Sequence, residues 1–449
     1  MAIGGAIGAG YFLGSGIAIK TAGPSLLLAY AIGGVTMFFI IRALGELTVS
    51  HPESGSFGSY ATQFIGPLTG FVTGWSYWLA ALLGCTAEST GIGILVHQRF
   101  PAAPQWLVAL CVVCLLYLIN ICRVRVFGES EYWLAIIKVV TVAAVICYGL
   151  AVLIFRVGPL APHAHLANLW RYGGFMPNGF DGLMTALPIV IFAFGGLEVI
   201  GLAAAETEQP EVTVPRAINS VLYRILLFYI GSFAVIMALL PWTQFSAHAS
   251  PFVDVLSRAD LSAAPEAVSL VTIIAIFSSG NTILFASTRM LYGLATAGQA
   301  PRSIGKLNRG HAPYRAVTLS AFVLLIGVGL SYMVPDKAFN YLLSMASWLL
   351  LWGWASIVIS HLVYRRTLRG DRTNQRSFEM PGTPITNWIV LLLISAVGVL
   401  LVLKSEARFT FVILAAWLAL LVAAYYLRRF LPPGVAAPVS QDEEYEMHS

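Results

Sequence analysis

The chain has 449 residues, of which 58% are hydrophobic and 10% are charged, and its mean hydropathy is +0.80. Because a water-soluble domain carries roughly 25% charged residues, this composition excludes a soluble protein and indicates a polytopic membrane protein. The sequence contains no nucleotide-binding loop, so we do not expect ATP to drive its function.

Apolar runs close to twenty residues long recur from one end of the chain to the other. About twenty apolar residues cross a bilayer as a helix, so we predict an all-α polytopic membrane protein with twelve transmembrane helices. The predicted spans cover roughly residues 2–19, 26–47, 66–94, 106–121, 132–155, 181–204, 219–240, 266–290, 316–334, 338–363, 385–403 and 409–427.

Lys and Arg are distributed unevenly between the two sets of loops that separate these spans. With the N-terminus inside, the inside loops and tail hold about twice as many as the outside loops, which is the bias of cytoplasmic loops. We therefore expect both termini in the cytoplasm. The net charge of +5 follows from this topological bias and does not indicate a nucleic-acid partner.

Glycine is concentrated in the first span, which begins MAIGGAIGAGYFLGSG. Each glycine inside a helix costs about 1 kcal/mol relative to alanine, so this density requires an explanation. One explanation is close helix packing, since Gly4 and Gly8, like Gly10 and Gly14, have small-xxx-small spacing. The other is a functional break in the helix.

The sixth span, TALPIVIFAFGGLEVIGLAAAETEQP, favours a break. It contains Pro188, the pair Gly195-Gly196 and the acid Glu198, and it comes five spans after the first. Interrupted helices at matching positions of two halves are typical of secondary transporters built from inverted repeats. A break inside the membrane survives only beside a cavity or substrate. Its helix N-terminus attracts a carboxylate and its freed carbonyls attract an ammonium, so two breaks suit the two ends of an α-amino acid.

Several motifs, in order along the chain, resemble those of bacterial amino acid permeases in the amino acid–polyamine–organocation superfamily. They are IGGAIGAGYFLGSGIAIKTAGPSLLLAYAIGG, RALGELTVSHPESGSFGSYA, FGESEYWLAIIKVV, GGFMPNGFDG, FAFGGLEVIGLAAAETEQPEVTVPRAINSVLYRILLFYIGS and STRMLYGLATAGQAP. The resemblance implies a LeuT-like fold, in which helices 1–5 and 6–10 form inverted repeats and two extra helices follow. The expected organisation is one transporter domain over 1–430, with repeats at about 1–155 and 181–363 and helices 11–12 at about 385–427, then a short cytoplasmic tail over 431–449.

The resemblance also implies how the first span contacts the substrate. The stretch Gly8-Ala9-Gly10 matches the unwound segment whose amides meet the substrate carboxylate. Ala6 and Ile7 lie just before it and are expected to offer carbonyls to the amine. Members of the family carry some tens of residues before this motif, so the inner half of helix 1 is expected to be nearly absent from this sequence.

In the sixth span, Phe192 and Gly195 match the positions that supply the other carbonyls for the amine. The Phe192 ring also matches the aromatic that closes over the substrate. Glu88, deep in span 3, matches an acid common in these permeases. Two roles stay open for it, namely contact with the substrate amine or proton handling, and a structural, hydrogen-bonded acid.

Two further ionisable residues are candidates for proton coupling, because a charge at mid-bilayer costs about 2.5–3.5 kcal/mol on insertion scales. Lys138 either snorkels to the cytoplasmic interface or, by the resemblance, takes the place that a sodium ion has in sodium-coupled relatives and carries a proton. The second interpretation places it near the helix 1 break and the SSGN cluster, 278–281. Glu198 is expected either to serve in gating or proton linkage, or to hold the broken backbone.

Together these features predict secondary active transport of amino acids across the bacterial inner membrane, as proton symport by alternating access. Two alternatives stay open: an amino acid exchanger without net proton coupling, and a sensor that binds amino acids without moving them. We expect no enzyme activity, cofactor or metal site, since the CxxC spacing of Cys111 and Cys114 has no second pair beside it. The spacing of Arg42 and Glu46, four residues apart on one helix, predicts an ion pair. The expected partners are an amino acid, protons and the lipid bilayer; the amino acid carried and the oligomeric state are left open.

Overall fold

The computed structural model describes residues 7–51, 56–121, 124–203, 209–247, 249–259, 264–310, 312–368, 378–403 and 407–428. Within these residues the fold consists of helices and their connections, without β-strands. The predicted all-α class is therefore confirmed for the part of the chain described.

In the first half of the chain, helices coincide with the predicted spans, and the first span is divided into two short helices. The helices are α1 (Ala9–Phe12), α2 (Gly14–Ala22), α3 (Leu26–Ser50), α4 (Ser56–Phe64), α5 (Pro67–Arg99), α6 (Gln105–Ile121), α7 (Val124–Phe155) and α8 (Asn168–Arg171). Helix α7 begins eight positions before the predicted span 5, which started at residue 132.

In the second half, the sixth span is divided into two helices by residues 195–198. The helices are α9 (Gly179–Phe194), α10 (Val199–Ala203), α11 (Pro210–Arg224), α12 (Ser232–Leu239), α13 (Pro251–Ser257), α14 (Ala264–Thr296), α15 (Tyr314–Met333), α16 (Pro335–Thr367), α17 (Ile385–Leu403) and α18 (Ala407–Leu427). A π-helical segment, Ile225–Gly231, joins α11 to α12.

Eight helical segments of the described chain are long and apolar enough to cross a membrane. The first of them, Gly14–Ser50, contains both α2 and α3, which meet at Gly23 with a φ of +61°. Three shorter apolar helices coincide with predicted spans 4, 7 and 12. The protein is thus a helical, polytopic membrane protein, whereas the count of twelve crossings stays a prediction.

The centre of the fold is built on α5, which packs along α14 on one side and α16 on the other. Its buried residues include small and polar side chains such as Ser76, Thr86 and Ser89. Small residues let membrane helices approach closely, and hydroxyls bond across the contact. The short helix α1 contacts α5, α9 and α14, so the interrupted spans lie in the middle of the packed helices.

Candidate functional site

The backbone is non-helical at Gly8, inside the stretch predicted to be unwound. Gly8 is extended (φ −133°, ψ −151°), and α1 begins directly after it at Ala9. The Gly8 carbonyl accepts the amides of Tyr11 at 3.1 Å and Phe12 at 3.0 Å, which closes the first turn. Ile7 is described and buried, whereas Ala6 lies outside the described residues. The first amides of α1 therefore have no partner within their own helix.

Glu88 of α5 supplies the partner for one of these amides. The Ala9 amide donates a 2.6 Å hydrogen bond to Oε2 of Glu88, and the Ser279 hydroxyl of α14 donates to Oε1 at 3.1 Å. Glu88 is buried, with 3% of its surface exposed. A carboxylate is stabilised at this position because free amides and the helix dipole both favour negative charge. A protein carboxylate thus accepts the hydrogen bond of an amide that the family resemblance assigns to the substrate carboxylate.

Both glycines of the first break are required by close approach of neighbouring elements. A Cβ at Gly8 would stand 2.7 Å from the Cβ of Ser279, and a Cβ at Gly10 would stand 2.7 Å from Cδ1 of Phe192. The same Cβ at Gly10 would lie 3.1 Å from the backbone of Ala193, which cannot move independently of α9. Gly10 therefore serves close packing, while Gly8 is also the extended residue directly before α1.

The second break lies between α9 and α10. Gly195 turns the chain out of the helix with a ψ of 142°, and Gly196 has a φ of +95°. Only glycine adopts this φ at low energetic cost. The carbonyl of Ala193 accepts the Tyr229 hydroxyl at 2.7 Å, and the carbonyl of Phe192 accepts the Gly195 amide at 3.0 Å.

Glu198 closes this second break from within the same segment. Its carboxylate accepts the Gly196 amide at 3.1 and 3.2 Å and the Trp354 indole at 3.4 Å. The Tyr77 hydroxyl is a further hydrogen-bond partner. Glu198 is 2% exposed, and these partners come from three elements of the fold. The contacts fit the interpretation in which Glu198 holds the broken backbone.

A narrow cavity lies between the two breaks. Gly8 and Gly10 line it from one side, and Gly195 and Gly196 line it from the other. Most of the remaining lining is apolar and small, and consists of Ala80, Ala81, Gly84, Ala193, Ile283, Ala346 and Leu350, with Tyr77 and the two acids Glu88 and Glu198. Concave sites with an apolar lining and a few convergent polar groups are typical of small-molecule binding.

The Phe192 ring forms part of the cavity wall and is 6% exposed. It lies against Gly10, and a Cβ at Gly84 on α5 would be 3.6 Å from its Cε2. The ring therefore stands between the first break and α5. This position fits the predicted role of an aromatic that closes over the substrate.

Lys138 belongs to a buried cluster of charged and hydroxyl side chains. Its side chain is fully enclosed, whereas a snorkelling lysine would reach the interface. The acids within electrostatic reach of its ammonium are Glu131 on the same helix and Glu88 on α5. Two adjacent serines of α14 hold these acids, since Ser278 donates to Glu131 at 2.6 Å and Ser279 donates to Glu88. The cluster therefore connects Lys138 to the carboxylate that contacts the first break.

Glu131 was missed by the sequence analysis. The predicted span 5 began at residue 132, so this acid was placed just outside the membrane, whereas α7 begins at Val124. Glu131 and Lys138 are seven residues apart, which puts them on one helix face two turns apart. One signal would have identified Glu131. It is an acid and a base seven residues apart, in a span that continues upstream.

The predicted ion pair between Arg42 and Glu46 is present as an electrostatic attraction, whereas the close contacts described for each side chain are made elsewhere. Glu46 contacts Nε2 of His361 at 2.9 Å and the Arg365 guanidinium at 3.3 Å. Arg42 instead donates to the backbone carbonyl of Glu379 at 2.6 Å. Each side chain finds a partner on α16 or on the segment that follows α16, so tertiary contacts are added to the local attraction.

The cysteines, which the sequence predicts to be small core residues, are free thiols in the described part of the chain, and the core placement is wrong for Cys111 and Cys114. Cys85 is buried, and Cys111 and Cys114 are exposed on α6. No group of three potential metal-binding side chains occurs within the residues that the structure describes.

Comparison with known proteins gives the family directly. The amino acid permease family model matches residues 1–432. The chain is 39% identical over 437 residues to the amino acid permease YtnA of Bacillus subtilis, covering 97% of this chain and 94% of that protein. It is 38% identical over 437 residues to the aromatic amino acid transport protein AroP of Escherichia coli, covering 97% and 95%, and 39% identical over 425 residues to the amino-acid permease AapA of Bacillus subtilis, covering 95% and 92%. With a cavity between Gly8–Gly10 and Gly195–Gly196 and this similarity over nearly its full length, the chain belongs to the amino acid permease family.

Proposed function

We propose that this protein carries amino acids across the bacterial inner membrane by proton symport and alternating access, in a LeuT-like arrangement of twelve helices. The observation that carries the proposal is the cavity between the breaks at Gly8–Gly10 and Gly195–Gly196. The first break offers helix amides to a carboxylate, and the second lies beside backbone carbonyls that suit an ammonium. One cavity thus offers partners to both the carboxylate and the ammonium of an α-amino acid.

The position of Glu88 supports a link between substrate and proton. The substrate carboxylate and the Glu88 carboxylate compete for the Ala9 amide, to which Glu88 now accepts a 2.6 Å hydrogen bond. A protonated acid is a weaker acceptor than a carboxylate, so Glu88 leaves this amide most readily when it takes up a proton. Lys138, within electrostatic reach of Glu88, is the group that receives that proton afterwards.

The cavity lining supports neutral substrates with apolar side chains, aromatic ones included. Ala80, Ala81, Gly84 and Ala346 form a wall of small, apolar side chains. No Lys or Arg lines it among the described residues, so an acidic substrate side chain has no cationic partner there. The name of AroP, an aromatic amino acid transport protein, agrees with this substrate class.

Transport by the purified protein in proteoliposomes tests the proposal. We expect uptake of a labelled aromatic amino acid that rises with an acidic exterior, collapses with a protonophore and does not respond to sodium. A panel of unlabelled competitors should rank neutral apolar amino acids above acidic ones. Exchange without any response to the proton gradient would favour the exchanger, and binding without uptake would favour the sensor.

A further inference from the structure

We propose that Glu131 is a second proton carrier of this transporter, placed between Lys138 and the cytoplasmic side of the membrane. The proposal rests on the proton symport proposed above. It assigns a role to a residue that neither the substrate cavity nor the first helix break requires.

The surroundings of Glu131 are those of a group that exchanges a proton. The side chain is 1% exposed, and the Ser278 hydroxyl donates to its Oε1 at 2.6 Å. Its second oxygen, Oε2, is buried and has no hydrogen-bond partner among the described residues. A buried carboxylate oxygen without a donor is strongly disfavoured. A proton bound at Oε2 relieves this penalty.

The place of Glu131 along α7 gives the direction of proton movement. Seven residues of α-helix correspond to about 10 Å, so Glu131 lies roughly that far from Lys138 toward the start of α7. The connection from α6 to α7 is on the side that the bias of Lys and Arg assigns to the cytoplasm. A proton leaving Lys138 for the cytoplasm therefore passes the level of Glu131.

On the other side, Lys138 faces the carboxylate at the first break. The titratable groups around the cluster are Glu88 from α5, Tyr229 from the π-helical segment, which acts electrostatically on Glu88, and Glu131 and Lys138 themselves. Helix α14 contributes the two serine hydroxyls rather than a charge. Lys138 is thus the one basic group that the described contacts place in reach of both acids.

The proton transfers balance as two simple steps. In the first, the O–H bond of protonated Glu88 breaks and an N–H bond forms on the neutral Lys138 amine. In the second, an N–H bond of the Lys138 ammonium breaks and an O–H bond forms on the Glu131 carboxylate, directly after a side-chain rotation or through one water molecule. Loss of the proton from Glu131 to the cytoplasm and uptake of a new proton by Glu88 return the cluster to its starting state.

The test compares two activities of Glu131→Gln in proteoliposomes. One is accumulation of a labelled aromatic amino acid driven by an acidic exterior, and the other is exchange at equal pH on both sides. We expect accumulation to fall about tenfold or more, in the range measured for loss of a proton-transferring group, and exchange to fall much less. Glu131→Asp should recover part of the accumulation. Glu129→Gln, an exposed acid on the same helix, should behave as the wild type.

The outcomes separate the two proposals. Wild-type accumulation matched by Glu131→Gln would overturn the role of Glu131 and leave proton symport intact. Wild-type exchange without any response to the proton gradient would overturn proton symport and the role of Glu131 together. Equal loss of accumulation and exchange in Glu131→Gln, with normal elution as a folded protein, would assign Glu131 to structure and reject it as a carrier.

Discussion

At each of the two helix breaks a buried carboxylate accepts a backbone amide, but the two carboxylates lie at different distances along the chain from the amide that they accept. Glu198 accepts an amide two residues away in its own segment, whereas Glu88 reaches the Ala9 amide from another helix, 79 residues away in the chain. A local cap moves with the backbone that it holds. A cap from another helix is lost when the two helices separate, so the first break is the exchangeable one.

The hydrogen-bond partners of the two acids sharpen this difference. Both oxygens of Glu198 face obligatory donors, the Gly196 amide and the Trp354 indole. One oxygen of Glu88 faces the Ser279 hydroxyl, which can donate or accept. Glu198 also contacts the Tyr77 hydroxyl, but each of its oxygens faces a donor that cannot accept, so a change of protonation is tolerated better at Glu88.

The largest effect is expected from Gly10→Val at the first break. The added Cβ would lie 2.7 Å from the Phe192 ring and 3.1 Å from the backbone of Ala193. We expect uptake to fall about 100-fold or more, as for a misplaced catalytic or binding group, with the amount of protein in the membrane unchanged. Gly329→Val is the matched control, because nothing lies within 4 Å of a Cβ at that position. Normal uptake by Gly10→Val would mean that the close approach of α1 to Phe192 and Ala193 is not needed for transport.

The next effect separates the two acids by replacing each with glutamine. In Glu88→Gln the amide oxygen can accept from Ala9 while the NH₂ faces the Ser279 hydroxyl, so thermal stability should change little. Accumulation driven by the proton gradient should fall about tenfold or more, because the site no longer takes up a proton. Thermal unfolding and uptake measured on one preparation test this, and accumulation at the wild-type level would contradict it.

In Glu198→Gln the new NH₂ group replaces one of the two oxygens that the Gly196 amide contacts, so a donor then faces a donor in spite of the Tyr77 hydroxyl nearby. Leaving such buried donors unsatisfied costs about 1–3 kcal/mol, so the apparent melting temperature should drop relative to both the wild type and Glu88→Gln. The measurement is thermal unfolding in detergent followed by size-exclusion chromatography. Equal stability of the two glutamine variants would remove the distinction between a fixed and an exchangeable break.

A smaller effect is expected from Phe192→Ala, which removes the ring between the breaks. The apparent KM for an aromatic amino acid should rise about three- to tenfold, since one truncated aromatic contact is worth about 0.5–1.5 kcal/mol. Phe192→Tyr, which keeps the ring, should stay close to the wild type. An unchanged KM in Phe192→Ala would show that the ring does not contribute to the substrate site.

The smallest effect is expected far from both breaks, at Asp254 in the loop helix α13. Burial raises the pKa of Asp254, while the Ser246 amide and the charges of Arg258 and Lys20 act in the opposite direction. The folded protein therefore holds this proton more tightly than the unfolded chain, and stability declines as the pH rises from the ordinary carboxyl pKa through the raised one. Asp254→Asn should flatten the pH dependence of the melting temperature in that window without altering uptake. An unchanged profile would contradict this sign.

Much of the helical pattern was predictable because apolar runs and glycine interruptions are local signals. The boundary of span 5 was not, because the charges of Glu129 and Glu131 ended the apolar run although α7 continues to Val124. The pairings were also beyond sequence reasoning. Glu88 meets Ala9 across 79 residues and Trp354 meets Glu198 across 156, and no local spacing encodes such contacts.

The central claim, that a buried ammonium couples proton entry to amino acid transport, is tested most directly by Lys138→Arg. Arginine keeps a permanent positive charge and does not release its proton in proteins. The measurement is accumulation of a labelled aromatic amino acid in proteoliposomes with an acidic exterior, beside wild type and Lys138→Ala. We predict that the wild type accumulates substrate and that neither variant does, while Lys138→Ala retains more exchange than accumulation. Concentrative uptake by Lys138→Arg would contradict the account.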